Sequence, residues 1–113
     1  MNKLLACLLA VGFSTMAQAD FQYKQPRNAL RMTSIELHCD MVSQVAKYGA
    51  SEAKKGKNLD WLEYEKQKFI FTSSKYGASQ AKALEDGYIL RDPSLSAMFV
   101  YNVCMTKTDY QPL

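Results

Sequence analysis

The chain has 113 residues, enough for one small domain, and 48% hydrophobic and 22% charged residues indicate an ordinary globular protein. Its net charge of +3 at pH 7 becomes +2 when Lys3 leaves with the signal peptide described next. This excess is far below that of nucleic-acid-binding domains, so we expect no nucleic-acid partner.

Residues 1–19 have the pattern of a secretory signal peptide. Lys3 precedes a mostly apolar run at 4–13, and Ala17-Gln18-Ala19 gives the small-x-small pattern of a cleavage site. The apolar run is roughly half the length that crosses a bilayer as a helix. We therefore expect cleavage after Ala19, no integral membrane anchor, and a mature chain 20–113 in the periplasm or secreted.

Three helices are expected in the mature chain, after an extended N-terminal segment at 20–28. The helical domain covers 29–107, and its first helix begins at Ala29 with Asn28 as N-cap, or one turn later through a capping box of Thr33 and Glu36. Helical spacing places six residues on one face of this helix: Ile35, Cys39, Val42, Ala46, Gly49 and Ala53.

The second helix is expected to run unbroken from Asp60 to about Tyr88, after a turn at 56–58. Asp92 and Pro93 are suited to begin the third helix, which continues to about Lys107. Residues 108–113 are expected to form a flexible tail.

Cys39 and Cys104 are the two cysteines that remain after export, and in an oxidising compartment they predict one disulfide. Closing a loop of 65 residues contributes roughly 4 kcal/mol to stability in the chain-entropy model. Short connections favour an all-α, three-helix, up-down-up bundle stapled by this bond. A first helix that begins at Ala29 would place both cysteines level on neighbouring parallel helices, which favours the earlier start.

An octet at 47–54 recurs at 75–82 with seven of eight residues identical. Glycine within a helix costs about 1 kcal/mol relative to alanine, so Gly49 and Gly77 suggest compensation by close packing. The two octets are either packing points within the monomer or, in one copy, a docking surface for a target or a second subunit. Gly77 is expected inside and Gly49 within reach of a partner. The residues of the possible interface are Tyr48, Gly49, Ala53, Lys54, Lys55, Lys57, Tyr76 and Gly77.

Catalytic and cofactor patterns are not found in the sequence. His38 is the sole histidine, its neighbour Cys39 is assigned to the disulfide, and we expect it to be a partly exposed helix residue. Glu63 and Glu65 lie two residues apart and point from different faces of a helix, so they do not suit a catalytic pair of carboxylates. No zinc-ligand spacing or phosphate-binding glycine loop is present. The sequence therefore favours a protein that is not an enzyme and has no cofactor or metal.

Three functions fit these expectations. The first is a periplasmic module that binds another exported protein, as an inhibitor or immunity-type protein against a cell-envelope enzyme, with a homodimer also possible. In outline the chain resembles small helical immunity proteins with one disulfide. The second is a stress chaperone, because size, helicity and disulfide count are similar to those of the HdeA-type periplasmic proteins. Both resemblances concern architecture and assign no residue a role. The third is a carrier of an apolar ligand, lined by methionines: Met32, Met41, Met98 and Met105.

Overall fold

The computed structural model describes residues 21–107 and 109–112, and all regular structure in these residues is helical. Four α-helices follow one another: α1 (Ser34–Lys54), α2 (Leu59–Thr72), α3 (Gly77–Leu90) and α4 (Pro93–Thr106). Two short 3₁₀ turns lie at Ala29–Arg31 and Ser74–Tyr76. Within the described part of the chain, no helix has both the length and the apolar character needed to span a membrane. The signal peptide and its cleavage site before Asp20 lie outside the described residues.

The α1 helix begins at the later of the two expected positions. Thr33 accepts a hydrogen bond from the backbone N–H of Glu36, and the Glu36 carboxylate accepts one from the N–H of Thr33. The expected start at Ala29 is wrong, because Asn28 forms no side-chain cap and the backbone is extended again at Met32. The reciprocal pair satisfies two N–H groups of the helix end, which explains why it sets the boundary.

The expected second helix is in fact two helices, so the three-helix prediction is wrong. The α2 helix ends at Thr72, Ser73 caps it, and a 3₁₀ turn leads into α3. Thr72, Ser73 and Ser74 follow one another here, and threonine and serine have lower helix propensity than alanine or leucine. Trp61 stacks on Tyr88 at 6.2 Å between ring centroids. This contact joins the beginning of α2 to the end of α3, so the chain reverses direction between them.

Most of the core lies along α1, which packs on α3 and α4, while α3 also packs on α2. Small and β-branched residues fill the interior, and this composition lets the helix backbones approach closely. The fully buried aliphatic residues include Val42, Val45, Ala46, Leu84 and Val100.

The Cys39–Cys104 disulfide is confirmed, with 5.5 Å between the two Cα atoms. Cys39 lies near the beginning of α1, whereas Cys104 lies in the last turn of α4. The two cysteines therefore do not lie level on parallel helices, as expected for three helices. The extra reversal between α2 and α3 brings the C-terminal end of the last helix to the beginning of α1.

The described part of the C-terminal tail packs on the helices. Tyr110 belongs to the core, its hydroxyl donates to Asp86, and the ring lies 4.9 Å from Lys82 Nζ. Gln111 Nε2 donates to the carbonyl of Cys104 at 3.0 Å. We expected a flexible tail instead. The packing of Tyr110 could not be predicted, because a single aromatic residue beyond the last helix belongs to no periodic pattern.

Candidate functional site

The two glycines of the repeated octet both serve packing within the monomer. Gly49 is buried in α1, where a Cβ would overlap the carbonyl oxygen of Leu84 in α3. Gly77 begins α3, where a Cβ would lie 2.7 Å from the carbonyl oxygen of Phe69. Gly49, expected within reach of a partner, is thus enclosed in the folded chain, as is Ala53.

Nearly identical octets adopt different local structures. The first copy is helical throughout, whereas Lys75 and Tyr76 of the second lie in the 3₁₀ turn before α3. Tyr76 packs beside His38, with 5.7 Å between ring centroids. The structure therefore separates Tyr76 and Gly77 from the other residues of the expected interface, which gather near the end of α1.

A groove of about 550 Å³ lies beside the exposed side of the first octet. Phe21 and Tyr48 contribute aromatic rings to it, 5.7 Å apart between centroids. Its cationic lining comes from three lysines: Lys24, Lys47 and Lys55. In the described residues, Lys24 and Lys47 form no ion pair. We call this feature the basic groove.

The N-terminal segment forms one wall of the basic groove because it is held against α1. The backbone N–H of Lys24 donates to Gln44 Oε1 at 2.9 Å, and Gln44 Nε2 donates to the Lys24 carbonyl at 2.6 Å. Phe21 also packs on Phe69 of α2, with 5.9 Å between ring centroids. This wall would begin at the N-terminus of the mature chain if cleavage follows Ala19.

Among the described residues, Glu52 is the one carboxylate in the lining of the basic groove, and two lysines neutralise it. Lys55 Nζ lies 2.9 Å and Lys57 Nζ 3.2 Å from its oxygens. Burial opposes ionisation of Glu52, but hydrogen bonds from Lys55 and Lys57 outweigh it and hold the pKa below its usual value. Lys24 and Lys47 remain without an ion pair, so the described lining of the groove keeps a positive excess. Lys54 is also exposed and has no ion pair with any described residue, but it lies outside this lining.

Tyr48 connects the basic groove to an aromatic cluster beneath it. Its ring lies 5.8 Å from that of Trp61, and its hydroxyl donates to Glu65 at 3.4 Å. Glu65 is itself buried and pairs with Lys68 at 3.0 Å. Since these contacts order the Tyr48 ring, it presents a fixed surface to the groove.

A second surface, which the sequence analysis missed, is the exposed side of α4 and the end of α3. We call it the apolar face, and its members are Ile89, Leu90, Leu95, Met98, Phe99 and Met105, all exposed. Ile89, Leu90 and Phe99 line a common groove of about 400 Å³ between α3 and α4. The signal was present in the sequence, because Pro93–Thr106 contains no charged residue.

His38 is buried, which corrects the expectation of a partly exposed residue. Its Nε2 hydrogen-bonds to the carbonyl of Tyr110, while its Nδ1 has no partner. The tail beyond α4 covers this side chain, and the helical pattern of α1 alone could not show that. Among the described residues, no cluster of three histidine, cysteine or carboxylate side chains suits a metal ion.

The expected methionine lining is divided between two places. Met41 accepts a hydrogen bond from Gln80 Nε2 at its sulfur, 2.9 Å away, near His38 and Tyr76. Met98 and Met105 instead lie on the apolar face of α4.

Comparison of the chain with protein-family models, curated proteins and solved structures finds no match.

Proposed function

We propose that the chain is an exported, non-enzymatic binding module that holds an acidic segment of another periplasmic or secreted protein in the basic groove. An inhibitor or immunity-type protein directed at a cell-envelope enzyme is one form of such a module. The observation that carries the proposal is the combination of two lysines that have no carboxylate partner among the described residues, Lys24 and Lys47, with the aromatic rings of Phe21 and Tyr48.

The chemistry of the groove favours a protein segment as its ligand. Lysines attract carboxylates over a distance and speed association. Tyrosine is enriched where interfaces are most buried, because its ring supplies contact area and its hydroxyl a hydrogen bond. The groove is open to solvent and is lined on one side by the N-terminal segment, so a peptide segment of a partner could reach it.

A pair of matched variants tests this proposal. The mature chain 20–113 would be immobilised and exposed to an envelope extract, and retained proteins identified by mass spectrometry. Lys47→Glu reverses the charge in the groove, and Lys75→Glu makes the same change at the equivalent position of the second octet. We expect a stoichiometric partner that Lys47→Glu loses at least fivefold, about 1 kcal/mol, and that Lys75→Glu retains.

Other outcomes would contradict the proposal. Equal retention by both variants would show that the groove does not bind the partner. Capture of many unfolded proteins would favour the chaperone, and an apolar molecule that copurifies without a protein partner would favour the carrier.

A further inference from the structure

A pocket beside the beginning of α1 contains a histidine and a methionine side by side. His38 and Met41 lie three positions apart on α1, so they are neighbours on one helix face. Both line a space of about 290 Å³ between α1, Tyr76 and the N-terminal segment. We call it the histidine pocket. It shares no lining residue with the basic groove, because Tyr23 reaches the histidine pocket while its neighbour Lys24 reaches the groove.

The hydrogen bond of His38 determines which ring nitrogen is available to a ligand. Nε2 contacts the carbonyl oxygen of Tyr110, which can only accept, so Nε2 carries the proton of the neutral ring. Nδ1 therefore presents a lone pair, and it has no hydrogen-bond partner among the described residues although the residue is only 9% exposed. A histidine that binds a metal commonly donates its other ring N–H to a backbone carbonyl in this way.

Two further lone-pair atoms lie close to Met41. Its sulfur accepts a hydrogen bond from Gln80 Nε2 at 2.9 Å, which uses one of the two lone pairs of the thioether. The Oε1 atom of the same amide is buried and has no partner among the described residues. The surroundings thus offer nitrogen, sulfur and oxygen acceptors and no free donor that would satisfy them, as expected where a cation binds.

We propose that the histidine pocket binds one Cu(I) ion through His38 Nδ1 and Met41 Sδ. Thioether sulfur is a soft ligand that favours Cu(I), whereas magnesium, calcium and manganese prefer carboxylates. No carboxylate belongs to the described lining of the pocket, and the nearby thiol of Cys39 is held in the disulfide. From the sequence we expected no metal, because zinc ligands are lacking, but Cu(I) requires fewer and softer ligands.

The bound ion should also stabilise the fold. An ion on Nδ1 withdraws electrons from the imidazole ring, which makes Nε2–H a stronger donor to the Tyr110 carbonyl. Tyr110 belongs to the core, so the ion would strengthen the contact that holds the tail on α1. A ligand that binds only the folded chain raises the melting temperature.

The first test is calorimetric titration of the mature chain 20–113, without a histidine tag, with Ag(I) in chloride-free buffer. Ag(I) is the probe because it prefers the same soft ligands as Cu(I) and needs no reducing agent. We expect one equivalent to bind and to raise the melting temperature. Met41→Leu keeps the side-chain volume and should weaken binding at least tenfold. Met98→Leu is the matched control, since it removes a thioether that is exposed on α4, and it should bind as the wild type does.

The second test observes the imidazole ring directly by nitrogen NMR. His38 is the sole histidine in the sequence, so its two ring nitrogens give unambiguous signals. Ag(I) should shift the Nδ1 signal and leave the proton on Nε2. No binding of Ag(I), equal weakening by Met98→Leu, or an unchanged Nδ1 signal would overturn the proposal. Lys47→Glu should bind Ag(I) as the wild type does, so failure of this site and failure of the basic groove are distinguishable.

Discussion

Gly87 of α3 lies directly against the backbone of Ala46 in α1. A Cβ on Gly87 would sit 2.8 Å from the Ala46 Cα and closer still to its carbonyl. Both neighbours are backbone atoms, which cannot move aside without shifting a helix. With Gly49 against Leu84, this contact fixes the crossing of the two helices that hold most of the core.

Gly87→Ala should therefore lower the free energy of unfolding by roughly 3 kcal/mol, as expected when a packed core is overfilled. Gly56→Ala is the control, since Gly56 has a φ of +97° but nothing within 4 Å of an added Cβ. Backbone strain alone should cost about 1 kcal/mol there. Urea unfolding of both variants measures the difference, and equal losses would show that the helix crossing tolerates a methyl group.

The second prediction concerns the disulfide and the mature N-terminus. We expect the exported protein to begin at Asp20 and to contain the Cys39–Cys104 bond, so that alkylation without reduction leaves its intact mass unchanged. Replacement of both cysteines by alanine should lower stability by roughly 4 kcal/mol. Intact mass spectrometry and urea unfolding provide the measurements. Retention of residues 1–19, or two alkylated thiols, would contradict the prediction.

Much of the helical structure could be predicted from local chemistry. Neighbouring residues alone predict two helix starts, the Thr33–Glu36 capping box and the Asp92–Pro93 pair. The pairing of the two cysteines follows from the oxidising compartment expected for an exported protein. The turn at Ser73 could not be recognised, because the stripe of Ile70, Gly77 and Leu84 continues across it in sequence. Only the packing of α3 back onto α2 favours a reversal over a continuous helix.

The binding surfaces were less predictable than the helices. Tyr48 and Lys55 of the expected interface do line a groove, but Phe21, which completes it, is placed by contacts with α1 and α2. The apolar face was not expected, since periodicity shows that a helix has an apolar side and not whether another element covers it.

Tyr110 gives a third prediction, on stability at alkaline pH. Burial and the hydrogen bond to Asp86 raise its pKa well above the usual value of 10.0. Because the folded-state pKa is raised, the stabilisation is complete below about pH 10 and is lost as pH rises above that value. Tyr110→Phe should lower stability by about 1 kcal/mol at neutral pH, and its deficit should shrink above pH 10.

The control for Tyr110 is Tyr76→Phe, which removes an exposed hydroxyl that has no hydrogen bond to any described residue. Its loss of stability at neutral pH should be smaller than that of Tyr110→Phe. Chemical unfolding at several pH values measures both variants. A deficit in Tyr110→Phe that stays constant through pH 11 would show that Asp86 does not hold the neutral phenol.

Glu52 gives the fourth prediction, on stability in acid. Its pKa lies below the usual value of 4.5 because hydrogen bonds from Lys55 and Lys57 outweigh the cost of burial. A lowered folded-state pKa means that the stabilisation is present above about pH 4.5 and is lost as the pH falls through the folded-state value. Glu52→Gln should therefore cost about 1 kcal/mol at pH 7, a modest amount because both lysines remain largely solvated.

As the pH falls below 4.5 and through the folded-state pKa of Glu52, the wild type and Glu52→Gln should approach equal stability, because the native carboxylate becomes protonated. Glu63→Gln provides the comparison, since Glu63 is an exposed carboxylate 3.5 Å from Lys66 and should contribute little at any pH. Urea midpoints between pH 3 and 7 test the two variants. If Glu52→Gln is as stable as the wild type at pH 7, the ion pairs of Glu52 with Lys55 and Lys57 do not contribute to stability. The end of α1 beside the basic groove would then be stabilised by its backbone hydrogen bonds.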